Sequence, residues 1–156
     1  TIHDTVAQSV LQGLTAAMTE PVVLTRREGR AGRITLNRPK ALHALDTTMC
    51  QLMTDALLAW RNDSAVELIV IDHAGDRGFC AGGDLAFLEQ RLASTPAENH
   101  RTMRRFYELY LSIRTLRVPT IALLHGPAMG AGLCFALASA VTTTRSASSF
   151  AFSTCA

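Results

Sequence analysis

Two glycine-bearing turns constrain the fold of this chain more than any other feature. Residues 78–85 read GFCAGGDL and follow an apolar run at 66–72, while residues 126–132 read GPAMGAG and follow a second apolar run at 120–124. Each turn then gives way to a helical pattern. Repetition of strand, turn and helix predicts an α/β fold with a parallel sheet, whose sites lie beyond the carboxyl ends of the strands. Glycine can also serve only to ease a turn. We nevertheless expect function in these two loops, with backbone N–H groups exposed at both.

Periodicity along the rest of the chain completes the predicted α/β pattern. Apolar spacing predicts an amphipathic helix at 4–19, a hairpin (22–27 and 33–36, joined by 28–32), a helix capped by Asp46, a strand (66–72), two helices (about 84–92 and 97–116), a strand (120–124), a helix (133–138) and short strands (141–144 and 150–152). The apolar stripes of the helices, which include Leu52 and Tyr107, are predicted to face the core.

Composition excludes several classes of protein. The 156 residues are 48% hydrophobic and 18% charged, which is typical of a globular chain. A net charge of +2 with dispersed arginines gives no electrostatic footprint for nucleic acid. No apolar run reaches the roughly 18 residues of a membrane span. The four cysteines have neither zinc-site spacing nor the density of a disulfide scaffold, so we expect no metal site and a reducing intracellular compartment, cytoplasmic or the mitochondrial matrix.

A third loop makes the pattern specific. Residues 37–45 read NRPKALHAL and follow the earlier predicted strand. Together the three loops resemble the crotonase (enoyl-CoA hydratase/isomerase) superfamily over about residues 22–154. The sequences at 79–85 and 124–126 resemble the 3-hydroxyisobutyryl-CoA hydrolase branch of that superfamily. The resemblance implies a spiral of strand-strand-helix repeats adapted to acyl-CoA thioesters. It also implies two parts: an N-terminal helix at 1–20, and an incomplete, C-terminally truncated acyl-CoA-binding domain at 21–156.

The resemblance assigns roles to residues in each loop. It implies that the backbone N–H groups of Gly83 and Ala131 form an oxyanion hole, since two donors on a carbonyl oxygen stabilise developing negative charge. Ala131 stands where the family usually has glycine, so an alanine must tolerate the local φ. The resemblance also implies that the coenzyme A end of the substrate is held by the remaining site residues, Lys40, Ala41, Leu42, Ala81 and Gly82. Lys40, the sole lysine, is equally well explained as a solvated loop charge.

Carboxylates are missing where the resembled enzymes use them. No Asp or Glu follows Glu108, although general acid-base catalysis in such sites uses carboxylates. Matching the second turn to the family places the first hydratase glutamate on Cys134 and the later Pro-Glu position on Ser153-Thr154. We expect Cys134 to be a buried, inert thiol and His125 to be a hydrogen-bonded structural residue. His43 replaces the family's common asparagine and is likewise expected to be structural, and the exposure of Cys80 is left open.

Two hypotheses of function remain open. The first is an acyl-CoA-processing enzyme that hydrolyses a thioester, or hydrates or isomerises an enoyl group. The second is a non-catalytic or truncated relative that binds CoA thioesters or assembles with other subunits. Both imply an acyl-CoA thioester as partner, without nucleic acid or membrane, and no separate cofactor because coenzyme A is part of the substrate. An incomplete domain would expose apolar surface. Either the helix at 4–19 covers this surface or self-association buries it, and the expected partner includes a second copy of the chain in a homo-oligomer.

Overall fold

A computed structural model describes residues 20–139, 141–144 and 150–151. The predicted helix at 4–19 lies outside these residues. Within them the strands are β1 Val23–Glu28, β2 Ala31–Leu36, β3 Leu68–His73, β4 Thr120–Leu124, β5 Ala128–Met129, β6 Val141–Thr144 and β7 Phe150–Ala151. The α-helices are α1 Thr47–Arg61, α2 Leu85–Glu89, α3 Pro96–Tyr110 and α4 Ala131–Leu137.

The larger sheet has the strand order β1-β2-β3-β4-β6. β1 and β2 form an antiparallel hairpin, and each later strand pairs in parallel with its predecessor in that order. The hairpin turn is shorter than predicted, because pairing continues to Glu28 and Ala31 and leaves only Gly29 and Arg30 between the strands. Gly29 has a φ of +59°, which glycine adopts without steric cost. β5 and β7 pair separately, in parallel. This arrangement confirms the predicted α/β class and brings the ends of β3 and β4 together.

Local signals start α1 and α3 close to where the sequence predicts, whereas the helix predicted at 133–138 begins earlier, at Ala131. The Asp46 carboxylate accepts a hydrogen bond from Met49 N at 2.7 Å and so caps α1. At α3, Thr95 and Glu98 form a reciprocal capping box. α1 and α3 pack against each other. The largest fully buried side chains are Phe79, Phe106, Phe135, Ile34, Leu36, Leu45, Met49, Met53, Leu57, Ile69, Ile71 and Leu124. Several of them lie in or beside the predicted loops, so the core holds those loops in place.

Two details of the helices differ from prediction. The α-helical parts end early, at Glu89 and Tyr110, and each continues as a short 3-10 segment. Two residues of the predicted core stripes, Leu52 and Tyr107, are exposed at 41% and 43%. Both flank the buried stripe, where a helix turns by about 100° per residue. Apolar spacing gives the direction of the buried face but not its width.

Candidate functional site

The two glycine turns lie side by side and are joined by backbone hydrogen bonds. The N–H groups of Phe79 and Cys80 both donate to the Pro127 carbonyl, at 2.9 and 3.3 Å. In return Met129 N donates to the Cys80 carbonyl at 2.9 Å. These bonds make a short parallel bridge between Cys80 and Ala128. The predicted neighbourhood of the two turns is therefore present in the structure.

The third loop is joined to the first turn in the same way. Ala81 N donates to the Leu42 carbonyl at 2.9 Å, and Leu45 N donates to the Gly82 carbonyl at 2.7 Å. Asp84 N then returns a bond of 2.8 Å to the Leu45 carbonyl. The structure thus brings the predicted site residues into one strip that crosses three loops: Lys40, Ala41, Leu42, Ala81, Gly82, Gly83 and Ala131.

Close backbone approach explains one glycine in particular. A Cβ on Gly132 would lie 2.6 Å from both Cβ and Sγ of Cys80 and 2.7 Å from the Cys80 carbonyl oxygen. Such distances are far inside van der Waals contact. The start of α4 can therefore reach the first turn only because residue 132 has no side chain.

Hydrogen bonding fixes the orientation of the Gly83 N–H group. The peptide group between Gly82 and Gly83 is trans, so its carbonyl and its N–H point in opposite directions. Its carbonyl accepts from Leu45 N, and the Gly83 N–H therefore points away from that loop. Within the part of the chain that the structure describes, this N–H donates to no protein acceptor.

The Ala131 N–H group is similarly placed. The Gly130 carbonyl accepts from Cys134 N at 3.0 Å inside α4, so the Ala131 N–H points out of the start of the helix. It has no acceptor among the described residues. The positive φ values of this turn, +74° and +50°, fall on Gly126 and Gly130, and Ala131 is not among the non-glycine residues with positive φ. An alanine is therefore compatible with this position. A Cβ placed on Gly82 would be 3.6 Å from the Ala131 nitrogen, so the two N–H groups belong to neighbouring segments.

The loop at 37–45 carries unusual backbone conformations. Leu42 and His43 have φ values of 47° and 55°, in the left-handed region that non-glycine residues seldom adopt. The buried His43 ring holds the loop in this shape. Its Nδ1 accepts from Arg38 N at 3.0 Å and its Nε2 lies 3.0 Å from the Ala74 carbonyl, which makes Nε2 the protonated nitrogen. Lys40 and Ala81 are exposed at the edge of the strip. The expectation that His43 is structural agrees with these contacts.

Burial and neighbouring positive charge keep His43 neutral. Desolvation, followed by the neighbouring His73, lowers the pKa of His43 from 6.5 to about 4. Desolvation also lowers the pKa of His73, whose ring centroid lies 5.4 Å from that of His43. A proton on Nδ1 would remove the acceptor of the Arg38 N–H.

We expect this histidine to make stability depend on pH. Between pH about 6.5 and 4 this histidine is protonated in the unfolded state but stays neutral in the folded state. The free energy of unfolding therefore decreases as the pH is lowered, by up to about 2–3 kcal/mol. Above the pKa of the unfolded state, His43 is neutral in both states and no longer makes the free energy of unfolding depend on pH. Urea unfolding at pH 4.5, 5.5 and 7 measures the slope. His43→Asn, which tolerates a left-handed φ, is expected to have a shallower slope, and an unchanged slope would contradict this role.

The cysteines differ in their surroundings. Cys80 is buried and its thiol donates to the His43 carbonyl at 3.1 Å. Burial raises its pKa to about 12, so it is unreactive. The expectation that Cys134 is buried is wrong: Cys134 is exposed. Leu133 and Phe135 face the core from the same helix, and Cys134 lies on the opposite side, as helical geometry requires.

Two charged residues of the site were not identified from the sequence. The Arg38 guanidinium donates to the Asp84 carboxylate at 2.7 Å, and Asp84 also caps α2 by accepting from Phe87 N at 3.2 Å. Burial alone would raise the pKa of Asp84, but the bonds from Arg38 and Phe87 outweigh it and lower that pKa. Asp84 is therefore an ion-paired structural carboxylate. The only sequence signal was that both residues lie in the motifs quoted above.

The described residues contain neither a metal-binding cluster nor a membrane-spanning helix. No group of three or more His, Cys, Asp or Glu side chains in this part of the chain is placed to hold a metal ion. Among the same residues, no helix is long and apolar enough to cross a membrane.

Comparisons with known proteins agree with this geometry. A family model described as enoyl-CoA hydratase/isomerase matches residues 31–156. Mitochondrial 3-hydroxyisobutyryl-CoA hydrolase of Danio rerio is 38% identical over 111 residues, which make up 71% of this chain and 29% of that protein. A Mycobacterium leprae protein named probable enoyl-CoA hydratase is 34% identical over 129 residues, 80% of this chain and 44% of that protein. An enoyl-CoA hydratase structure from Rhodobacter sphaeroides matches with a TM-score of 0.77 at 38% identity, covering 85% of this chain and 40% of that one.

The fold and the three joined loops define a crotonase-like α/β protein. The chain belongs to the enoyl-CoA hydratase/isomerase family. The resemblance stated from the sequence is thereby confirmed. The chain spans 29% and 44% of the two curated relatives described above, so it corresponds to part of their length.

Proposed function

We propose that this chain binds an acyl-CoA thioester and polarises its carbonyl group with the N–H groups of Gly83 and Ala131. One observation carries the proposal: both N–H groups lack an acceptor among the described residues, while the peptides around them are hydrogen bonded across adjoining loops. Two such donors stabilise the negative charge that develops on a carbonyl oxygen, by about 3–4 kcal/mol per donor. Because the donors are backbone groups, alanine at 131 serves as well as glycine.

In this proposal the coenzyme A end of the ligand lies on the same strip. Lys40 and Ala81 are exposed at its edge, and the bond from Ala81 N to the Leu42 carbonyl joins the two segments. In this proposal Lys40 contacts a phosphate and the neighbouring backbone of Ala41, Leu42 and Gly82 lines the nucleotide. Names of the relatives that specify CoA thioesters support this ligand class. No cofactor beyond the substrate's own coenzyme A enters the proposal.

Acyl-CoA processing, as hydrolysis or as hydration or isomerisation, is the reaction class that follows. A specific observation favours binding without turnover as the second candidate. Asp84, next to Gly83, is ion-paired with Arg38, and Cys134 lies exposed at the position where the resembled hydratases have a glutamate. General acid-base catalysis contributes about 10²–10⁴-fold. Without such a group, polarisation of the carbonyl is the remaining contribution to rate.

Calorimetry on the chain tests the ligand class. We expect 3-hydroxyisobutyryl-CoA and but-2-enoyl-CoA to bind at least about tenfold more tightly than NAD or ADP, a difference of about 1.4 kcal/mol. Equal affinity for NAD would contradict the proposal. Lys40→Met serves as the matched variant. Because Lys40 is proposed to contact a phosphate, the substitution is expected to weaken the binding of coenzyme A thioesters more than the binding of their 3′-dephospho forms. Release of free thiol, measured in parallel, separates an enzyme from a binding protein.

A further inference from the structure

Arg38 lies where the 37–45 loop meets the Gly82-Gly83 turn. Its guanidinium donates to the Ala44 carbonyl at 2.6 Å and to the Asp84 carboxylate at 2.7 Å, and it lies 3.3 Å from the Asp46 carboxylate. The Arg38 side chain is 22% exposed and that of Asp84 is 13% exposed. Hydrogen bonds of a charged donor in such a partly buried place are stronger than neutral ones.

One of these contacts, the bond to the Ala44 carbonyl, begins a continuous path to Gly83. The Ala44 carbonyl that accepts from Arg38 belongs to the same peptide group as Leu45 N. Leu45 N donates to the Gly82 carbonyl at 2.7 Å, and that carbonyl shares its peptide group with the Gly83 N–H. The guanidinium is thus connected to the Gly83 N–H through two peptide groups in series, all pointing the same way.

Chains of hydrogen bonds polarise one another, by roughly 10–30% per bond. A cation that donates to the first carbonyl draws electron density toward itself and makes the N–H of the same peptide a better donor. The second peptide passes the effect on to its own N–H. The Ala131 N–H has no such connection, because the Gly130 carbonyl accepts from Cys134 N within α4.

We propose that Arg38 is a positioning residue that orients and polarises the Gly83 N–H through the Ala44–Leu45 and Gly82–Gly83 peptide groups. This inference rests on the proposed function of Gly83. The Asp84 carboxylate balances the charge of the guanidinium. The Asp84 N–H donates to the Leu45 carbonyl and adds a second backbone hydrogen bond between the two loops. The ion pair therefore sets the strength of the donor as well as the position of the loop.

Arg38→Met and Asp84→Asn are expected to act in opposite directions. Arg38→Met removes the cation, so the amide ¹⁵N resonances of Leu45 and Gly83, which respond to hydrogen bonds on the preceding carbonyls, should shift upfield in the ligand-free protein. Asp84→Asn removes the nearer of two counter-charges and leaves only the Asp46 carboxylate, 3.3 Å away, to balance the guanidinium, so it should shift both resonances downfield. Shifts in the same direction, or none, would overturn the inference. Should Arg38→Met fail to fold, Arg38→Lys replaces it, with the same upfield direction expected because lysine lacks the planar fork.

Vibrational spectroscopy of a bound thioester provides the functional test. On binding to the unmodified chain, the carbonyl stretch of but-2-enoyl-CoA should move to lower frequency, and Arg38→Met should reduce that movement by roughly a tenth to a third. Arg33→Met is the matched control, since Arg33 forms a similarly buried ion pair with Asp72, exposed at 27% and 14%. It should leave the movement unchanged. No movement in the unmodified chain would refute the proposed function alone, because the ligand-free resonances still decide the role of Arg38.

Discussion

Replacing Gly83 with proline is expected to reduce the stabilisation of a thioester oxyanion by about 10²–10³-fold, the equivalent of about 2.7–4 kcal/mol. Proline has no N–H, so the substitution deletes one proposed donor while the Gly82 carbonyl can still accept from Leu45 N. Acetoacetyl-CoA is a suitable probe because its enolate carries negative charge on the thioester oxygen. Its bound enolate fraction, followed by ultraviolet absorption over a pH series, measures the loss directly.

Gly83→Ala is the matched control for this experiment. A Cβ at Gly83 would meet Leu88 Cδ1 at 3.5 Å, an ordinary contact, and Gly83 has no positive φ that would disfavour a side chain. The alanine variant keeps the N–H and should bind the enolate within about twofold of the unmodified chain. If the proline and alanine variants bind it equally, Gly83 is not a donor. If both fail to bind it while remaining folded, crowding near Leu88 explains the loss, and the proline result gives no support to a donor role.

Much of the fold could be predicted because its signals are local. β4 has the predicted bounds, since the apolar run at 120–124 is closed by Pro119 before it and Gly126 after it. Asp46 caps its helix as the residue type and spacing predict. The predicted turn after β1 is too long, because strand pairing decides where a hairpin turn begins and glycine content does not.

The candidate site was predicted as far as its backbone, but not its charges. Glycine turns after strands show where N–H groups will be exposed, and the loops do meet there. Which carboxylate an arginine contacts depends on how distant loops fold together: Arg38 and Asp84 are 46 residues apart. The burial of Cys134 was predicted wrongly because the composition of a helix segment does not show which side faces the core. Sequence patterns therefore miss the part of the site that depends on contacts between residues far apart in the chain, such as the Arg38–Asp84 ion pair.

Gly132→Ala is expected to separate the two glycine turns. The added methyl group would lie 2.6 Å from Cys80 Cβ and 2.7 Å from the Cys80 carbonyl oxygen, and because the latter is backbone, no side-chain rotation relieves the clash. Overpacking of this kind costs about 1–3 kcal/mol, measured by urea unfolding. Relief requires the start of α4 to move away from the first turn, which would break the bond from Met129 N to the Cys80 carbonyl. Since Ala131 then shifts relative to Gly83, acyl-CoA affinity should fall at least about tenfold, or 1.4 kcal/mol.

Gly29→Ala distinguishes this geometric effect from general destabilisation. Gly29 lies in the β1–β2 turn with a φ of +59° and no atom within 4 Å of an added Cβ. Alanine there costs about 1–2 kcal/mol through backbone conformation alone, a loss of stability similar to that expected for Gly132→Ala. Its acyl-CoA affinity should nevertheless match that of the unmodified chain, because the turn is not among the three joined loops. Equal loss of affinity in both variants would show that binding follows stability, and that the distance between the two turns does not control the site.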